Sequence, residues 1–333
     1  MPVSPRHRIL VLGGGSIGRR HAANLSLLGV RKIAVMEPDP VKRAALGKEL
    51  DIETFNDASG AIAAFRPTIV FVCSPTKEHV PQALLAVRAN ADAFIEKPLS
   101  HAMEGTGELE RVAAGRIVMI GCNMRFHPGP RKVKELIDSG AAGRVVRAHI
   151  HAASYLPDWR PQDDYRSSYS ADPLQGGAIL DFIHEIDLAL WYCGPAALLH
   201  AAVEPAAEIG LTVDGKAVMK LGHSSGASSE ISVSFVKKGY ERGCTIEGTG
   251  GRIAWEYGKG VRLERKDGSA MEFFPEPPHY EPNRMYLDEI AYFLECVENR
   301  STAFSGIIEG KAALAIALAA RHGNRDCRGR NLA

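Results

Sequence analysis

Six residues near the N-terminus, Gly13-Gly14-Gly15-Ser16-Ile17-Gly18, constrain the fold of this chain more than any other feature. They follow an apolar run at residues 9–12, which is typical of a buried strand, and precede a segment of helical periodicity. In such a strand–turn–helix unit the first glycine permits the tight turn, the second lets backbone N–H groups approach a pyrophosphate, and the third permits close helix packing. The pattern predicts a dinucleotide cradle made by Gly13, Gly15, Ser16, Ile17 and Gly18.

The acidic residue Glu37 supports the same interpretation. It ends a second apolar run, residues 33–36, at about the spacing expected of a ribose ligand. Its carboxylate would repel a 2′-phosphate, so NAD is the predicted cofactor and NADP is less favoured, unless Lys42 or Arg43 folds over to compensate. The alternative is a glycine-rich turn that binds no ligand.

Apolar runs and helical segments alternate along the first third of the chain. This alternation predicts an α/β Rossmann domain, a doubly wound parallel sheet, over residues 1–122. Its predicted strands are residues 9–12, 33–36, 69–73, 93–95 and 117–120.

The pattern changes near residue 145 to longer strands with period-two alternation and glycine turns. Residues 123–333 are therefore predicted to form an α+β substrate and oligomerisation domain with a large open antiparallel sheet, whose C-terminal helix can pack back on the first domain. The predicted strands are residues 145–154, 229–236, 244–248, 252–257 and 261–265, and the predicted helices are residues 177–192, 284–297 and 307–321.

Charge and cysteine usage narrow the class of protein. The 40 basic and 39 acidic side chains are interspersed, so no nucleic-acid partner is predicted, and the basic end at residues 321–330 is interpreted as a solvated tail. Neither a signal peptide nor a run long enough to span a bilayer is found, and six cysteines lack C-x-x-C spacing. These features predict a soluble, cytoplasmic protein with no membrane partner.

The tripeptide Glu96-Lys97-Pro98 follows the predicted strand 93–95. Ligands of doubly wound sheets bind outside the carboxyl ends of the strands, which would place Lys97 beside a bound nicotinamide. A surface lysine is the alternative, and the sequence leaves the isomer of the Lys97–Pro98 peptide open. Four residues after the strands 69–73 and 93–95 complete the predicted cofactor-binding set with Lys97: Ser74, Pro75, His79 and Glu96.

A second constellation lies within residues 176–187. If these residues form one helix, Asp181 and His184 are three apart and share a face, where a carboxylate beside an imidazole suits general acid/base work. A helix cap or a solvated helix face is the alternative. A metal site built from His184 with Asp181 or Glu185 lacks a third ligand at recognisable spacing, so no metal is predicted.

Polar and aromatic residues near these motifs could contact a substrate. Asn123 and Arg125 follow the last Rossmann strand, and the long loop 155–169 is rich in hydrogen-bonding groups. His149 and His151 share one strand face, which permits a metal pair but is more typical of a lined or exposed face. The predicted substrate-binding residues are Asn123, Arg125, Trp159, Tyr165, Arg166 and His184.

Taken together, these motifs resemble the glucose-fructose oxidoreductase, inositol dehydrogenase and rhizopine catabolism family (Gfo/Idh/MocA). The resemblance extends over nearly the whole chain, and it is strongest to a subgroup associated with surface-polysaccharide and nucleotide-sugar metabolism. It implies that Lys97 is the catalytic lysine and His184 the catalytic histidine. In many members the partner aspartate precedes the histidine by four residues, whereas Asp181 precedes His184 by three. The subgroup pattern is matched by residues 155–160, 164–171 and 182–187.

The resemblance implies an NAD(H)-dependent oxidoreductase. It would transfer hydride between nicotinamide and a secondary hydroxyl, or the matching ketone, of a small sugar, sugar derivative or cyclitol bound in the cleft between the domains. The alternatives are an NAD-dependent glycoside hydrolase of the same family and a non-catalytic sugar or dinucleotide sensor. Because an open sheet needs one face covered, a homodimer or homotetramer is predicted.

Overall fold

The computed structural model describes residues 7–323, which divide into two units. Unit 1 contains the described residues up to Asn123 together with Pro282–Lys311, and unit 2 contains Met124–Glu281 and the described residues from Ala312. The predicted boundary between residues 122 and 123 thus lies one residue from the division. Residues 282–311, however, were predicted for the second domain and cluster with the first.

Unit 1 is built on a six-stranded parallel sheet in the order β3-β2-β1-β4-β5-β6. This order confirms the predicted doubly wound Rossmann sheet. The short strand β3 was not predicted, because its three residues are intermediate or exposed and form no buried apolar run. The strands are β1 Arg8–Leu12, β2 Lys32–Met36, β3 Glu53–Phe55, β4 Ile69–Val72, β5 Asp92–Glu96 and β6 Val118–Gly121.

Helices follow these strands, and two of them start at side-chain caps, Asp39 and Asp57. The Asp39 carboxylate accepts hydrogen bonds from the backbone N–H groups of Val41 and Lys42, with Pro40 in the first turn, so α2 begins where the sequence dictates. The helices of unit 1 that precede Asn123 are α1 Ser16–Leu27, α2 Pro40–Leu50, α3 Ala58–Phe65, α4 His79–Arg88 and α5 Thr106–Val112.

The return of residues 282–311 to unit 1 has a packing cause. Phe293, fully buried, contacts the rings of Phe71 and Phe94 in edge geometry, with centroids 5.7 and 5.6 Å away. Asn283 exchanges two amide hydrogen bonds with Asn24 of α1. Amphipathic periodicity predicted a helix here but not which sheet its apolar face would cover.

Unit 2 contains an eight-stranded sheet in the order β14-β13-β12-β11-β7-β10-β9-β8. β7 and β10 pair in parallel, so the sheet is mixed and mostly antiparallel rather than antiparallel throughout. Period-two alternation is the same in both arrangements and could not show this. The strands, of which β8, β9 and β14 were not predicted, are β7 Val145–Ser154, β8 Ala196–Pro205, β9 Asp214–His223, β10 Ser228–Ser234, β11 Tyr240–Gly248, β12 Gly251–Glu256, β13 Gly260–Arg265 and β14 Glu272–Pro275.

The predicted helix 177–192 is interrupted. It forms two helices because Phe182 leaves the helical conformation, with φ −97° and ψ 32°. Asp181, His184 and Glu185 are buried, so the alternative of a solvated helix face does not hold. The remaining helices are α6 Pro128–Asp138, α7 Ala178–Asp181, α8 Ile183–Cys193, α9 Asn283–Asn299 and α10 Ile307–Arg321. None of the helices within residues 7–323 is both long and apolar enough to cross a membrane.

Candidate active site

The glycine-rich turn sits where the strand order of unit 1 changes direction, between β1 and β4. Gly13 has φ +101°, and a Cβ atom there would lie 2.7 Å from the carbonyl oxygen of Cys73 and the amide nitrogen of Ser74. A Cβ on Gly18 would lie 1.9 Å from the carbonyl oxygen of Gly13. Both positions therefore require glycine, as predicted for a tight turn running into a closely packed helix.

The N-cap position of α1 borders open space. Gly15 is its N-cap and provides no side-chain cap, and a Cβ on Gly15 would meet nothing within 4 Å. The buried Ser74 hydroxyl, at the end of the neighbouring strand, has no hydrogen-bond partner within residues 7–323. Backbone donors and an unused hydroxyl at a strand switch point fit the pyrophosphate of a dinucleotide, so the residues present suit this cofactor.

Glu37 directly follows β2 beside this turn, and its carboxylate is held by backbone N–H groups. One carboxylate oxygen accepts from the Gly14 N–H at 3.0 Å, and the other accepts from the Asp39 N–H at 3.0 Å. The Arg43 guanidinium donates to the carbonyl oxygens of Glu37 and Pro38 at 2.8 and 2.9 Å. A fixed carboxylate thus stands where a ribose ligand was predicted, with an arginine next to it.

His79 links the chain segments that follow β4 and β5. Its Nδ1 lies 2.7 Å from the carbonyl oxygen of Pro98, and its Nε2 lies 2.9 Å from that of Ser74. Burial lowers the pKa of His79. The Lys97–Pro98 peptide is cis, and Pro75 precedes a short 3-10 turn. Within unit 1 the structure thus gathers Ser74, His79 and Lys97 at adjacent strand ends.

In unit 2, α8 carries His184 directly before two residues that form buried ion pairs. The neighbouring carboxylate of Glu185 accepts from two guanidinium nitrogens of Arg242, at 2.7 and 3.2 Å. The carboxylate of Asp187 accepts from Arg125 at 2.8 and 2.6 Å. These bidentate contacts fix the turn of α8 that directly follows His184. They also engage Arg125, which was predicted to contact substrate, in a structural ion pair.

Asp181 ends α7 and contacts a tyrosine that sequence analysis did not single out. The hydroxyl of Tyr169 is hydrogen-bonded to Asp181, and the charge of that carboxylate raises the pKa of the phenol. Asp181 and His184 are both 6% exposed and lie on either side of the break at Phe182. The aspartate therefore has a definite partner in the loop that was predicted to bind substrate.

Within that loop, the predicted recognition residues make contacts of their own. Trp159 donates its indole N–H to the Ser154 hydroxyl at 2.8 Å, and Tyr165 donates to the carbonyl oxygen of Ile209 at 3.0 Å. Arg166 is largely exposed and lies over the Tyr165 ring. The remaining predicted contact, Asn123, belongs to unit 1, where its buried side-chain oxygen has no hydrogen-bond partner in the described part of the chain.

His149 and His151 stack on one face of β7, with ring centroids 5.6 Å apart, beside a cavity of about 480 Å³. Over residues 7–323 no cluster of three or more His, Cys, Asp or Glu side chains could hold a metal ion. Arg242 and Tyr169 were not predicted as partners of the site, because nothing in their local sequence shows which side chains the fold brings to them. The acidic residues near His184, Asp181 and Glu185, were the available signal.

The parallel sheet and its glycine-rich switch point define a dinucleotide-binding protein. Sequence profiles agree with this class. The profile described as an oxidoreductase family with an NAD-binding Rossmann fold matches residues 7–125, and the Gfo/Idh/MocA C-terminal domain matches residues 130–254. The chain belongs to the Gfo/Idh/MocA family of NAD-dependent oxidoreductases.

Individual relatives are similar over almost their full length. The inositol 2-dehydrogenase of Rhizobium meliloti is 29% identical, covering 94% of this chain and 95% of the relative. The myo-inositol 2-dehydrogenase of Thermotoga maritima is 28% identical with the same coverage. The solved levoglucosan dehydrogenase in complex with NADH has a TM-score of 0.84 at 18% identity, covering 95% of this chain and 96% of that one, and so shares the fold.

Proposed function

We propose that this oxidoreductase interconverts a secondary hydroxyl and the matching ketone of a cyclitol or a small sugar, with NAD as the hydride carrier. One observation carries the proposal: within unit 1 the glycine cradle, the Ser74 hydroxyl and Lys97 follow the adjacent strands β1, β4 and β5. Full-length similarity to two inositol dehydrogenases favours a cyclitol over other alcohols.

NAD, when bound, supplies the hydride acceptor, and the protein supplies the proton chemistry. His184 would accept the hydroxyl proton, because imidazole exchanges protons near neutral pH. Lys97 would donate a hydrogen bond to the same oxygen and stabilise the negative charge that develops there. The Arg242 and Arg125 pairs would keep α8 from rotating, so that the imidazole holds its direction.

The loop 155–169 and Asn123 supply the residue types that a polyol needs. Trp159 offers an aromatic surface for an apolar ring face, and Tyr165 and Arg166 offer polar groups for hydroxyls. Tyr169, hydrogen-bonded to Asp181, adds a further candidate for the same site.

NADH absorbance during incubation with NAD and a panel of cyclitols, sugars and nucleotide sugars tests this proposal. Production of NADH with one or a few polyols is the expected result. Release of aglycone from an aryl glycoside without net NADH would show the glycosidase chemistry instead. Binding of NADH with no turnover of any panel member would favour the sensor.

A further inference from the structure

We propose that His21 positions the catalytic lysine, Lys97, through the carboxylate of Glu96. His21 lies on α1, the helix whose first turn faces the predicted cofactor phosphates, and it is fully buried. The inference rests on the proposed function, because it assigns Lys97 to the reacting oxygen. It names a positioning residue for that chemistry.

A short chain of hydrogen bonds connects the histidine to the lysine. His21 Nε2 lies 2.6 Å from Glu96 Oε1, so the imidazole N–H donates to the carboxylate. The other oxygen, Glu96 Oε2, accepts from the backbone N–H of Lys97 at 3.2 Å. One oxygen of the Glu96 carboxylate is thus hydrogen-bonded to a side chain of α1, and the other to the backbone N–H of Lys97.

The surroundings leave this pair little freedom. The His21 ring packs against Phe71, Phe94 and Tyr286, with centroids 5.5, 5.2 and 6.1 Å away. On the opposite side, a Cβ on Gly121 of β6 would come within 3.3 Å of Glu96 Oε1. Because these aromatic rings exclude water, a hydrogen bond to the carboxylate is stronger here than in water, and its loss costs more.

The arrangement explains why a buried acid precedes the lysine. Glu96 was predicted to bind cofactor, but its side chain is 9% exposed and its oxygens are engaged inside unit 1. An acid that fixes the backbone of the next residue directs the lysine side chain without contacting substrate. Catalytic side chains placed with errors of about 1 Å lose on the order of a hundredfold in rate, so such support has a kinetic consequence.

Three substitutions separate positioning from general stability. His21→Phe keeps the ring in its aromatic cage but removes the donor, whereas His21→Gln retains an N–H that can reach Glu96. Asn24→Ala is the matched control, because Asn24 is buried on the same helix and bonds to Asn283 rather than to Glu96. Thermal unfolding and NADH affinity are measured for each variant.

For an active wild type we expect His21→Phe to lower kcat by about ten- to a hundredfold with little change in the KM for substrate, and His21→Gln to recover most of the loss. Asn24→Ala is expected to lower the Tm and leave kcat near wild type. The inference is overturned if His21→Phe keeps kcat within twofold, if Asn24→Ala loses as much kcat, or if His21→Gln recovers none.

A second variant covers the case in which His21→Phe does not fold. Glu96→Gln is nearly isosteric but replaces one of the two acceptor oxygens with an NH2 donor, so the N–H groups of His21 and Lys97 no longer each have an oxygen of their own. Lowered kcat in folded Glu96→Gln supports the inference, and unchanged kcat overturns it.

A substrate-free measurement distinguishes failure of this inference from failure of the proposed function. Acetic anhydride at limiting concentration labels lysine amines, and peptide mass spectrometry compares Lys97 with the other lysines. We expect the labelling rate of Lys97 alone to change in His21→Phe. If wild type turns over no polyol, the proposed function fails, and the Lys97 labelling rate still decides whether His21 positions the lysine.

Discussion

At the scale of single residues, two side chains of opposite charge, Glu37 and Arg43, meet just after β2. Glu37 is 8% exposed and fixed by two backbone N–H groups, whereas the Arg43 guanidinium is bonded to the carbonyl oxygens of Glu37 and Pro38. A carboxylate accepts hydrogen bonds from ribose hydroxyls and repels a 2′-phosphate. Because Arg43 is already engaged by carbonyl groups, we expect it to offset that repulsion only in part.

The first prediction is a preference for NADH over NADPH. Unit charges about 4 Å apart interact by roughly 4 kcal/mol at an effective dielectric constant of 20, so partial compensation still leaves NADPH at least about tenfold weaker. We expect the dissociation constant of NADPH, divided by that of NADH, to decrease in Glu37→Gln and to increase in Arg43→Ala. Fluorescence titration measures both constants. Equal affinities for the two cofactors in wild type would contradict this assignment of Glu37.

Recognition of the substrate is predicted at Trp159 and Arg166. Arg166 is exposed apart from Asp164 and the face of Tyr165, so it can bind hydroxyls or an anionic group without breaking a buried contact. Losing a hydrogen bond to a charged group costs roughly 1.5 to 3 kcal/mol, so Arg166→Ala should weaken substrate binding about ten- to a hundredfold.

The controls for this second prediction are the affinity for NADH, which should not change, and Arg166→Lys, which keeps the charge but not the planar fork. Trp159→Ala should also raise the KM for substrate. If both alanine variants keep wild-type KM, the loop has only a structural role.

At the scale of elements, α6 begins at a buried histidine. His127 accepts from the Gly129 N–H through Nδ1 at 3.2 Å, and its ring packs against Trp255, Tyr257 and Tyr280. Burial lowers the pKa of His127 to about 4, with a smaller effect from the Arg242 charge. The folded protein thus holds this histidine neutral at pH values where the unfolded chain takes up a proton.

The third prediction follows from that difference. A depressed histidine pKa gives stability that is present above pH 6.5 and is lost as pH falls from 6.5 toward 4. The full effect corresponds to about 3 kcal/mol. His127→Asn keeps an acceptor for the helix cap but does not titrate, so the free energy of unfolding of wild type should fall more steeply over this range. Parallel pH profiles for the two proteins would refute the assignment.

Elements also show what the sequence can predict and what it cannot. Strands buried on both faces, such as β1 and β4, appear as continuous apolar runs, and the glycines mark their turn directly. The break at Phe182 has no such signal, because the apolar periodicity continues through it. The parallel pairing of β7 with β10 is likewise hidden, since strand direction depends on contacts distant in sequence.

The candidate site likewise has residues that the sequence predicts and others that only the structure shows. Lys97, His184 and the glycine cradle follow from local motifs, and each stands on the predicted kind of element. The supporting partners, including His21, Tyr169 and Arg242, come from elements 57 to 75 positions away or from another loop, so no spacing rule points to them. Their roles appear only when burial and hydrogen bonding are known.

At the scale of the whole molecule, the fourth prediction is a homodimer or homotetramer. One face of the sheet in unit 2 carries the exposed Val218 beside the stacked His149 and His151 and a cavity of about 480 Å³. An apolar side chain on an open sheet is stabilised when a second copy covers it. Light scattering should give a mass of about two or four times the 36.0 kDa of one chain.

A matched pair of substitutions tests which surface is used. Val218→Glu places a charge on the sheet and should reduce the measured mass. Leu27→Glu makes the same change on an exposed side chain of α1 in unit 1 and should leave the mass unchanged. A monomeric wild type, or equal effects of the two variants, would contradict the prediction.

The central claim is direct hydride transfer assisted by Lys97 and His184. The most direct test uses the polyol that gives the fastest NADH production, deuterated at the carbons that bear its secondary hydroxyls, and follows deuterium into NADH by mass spectrometry. We expect deuterated NADH from wild type, and from Lys97→Ala and His184→Ala at rates lower by about a hundred- to ten-thousandfold with NADH affinity preserved. NADH formed without deuterium, or near-normal rates in both variants, would contradict the account.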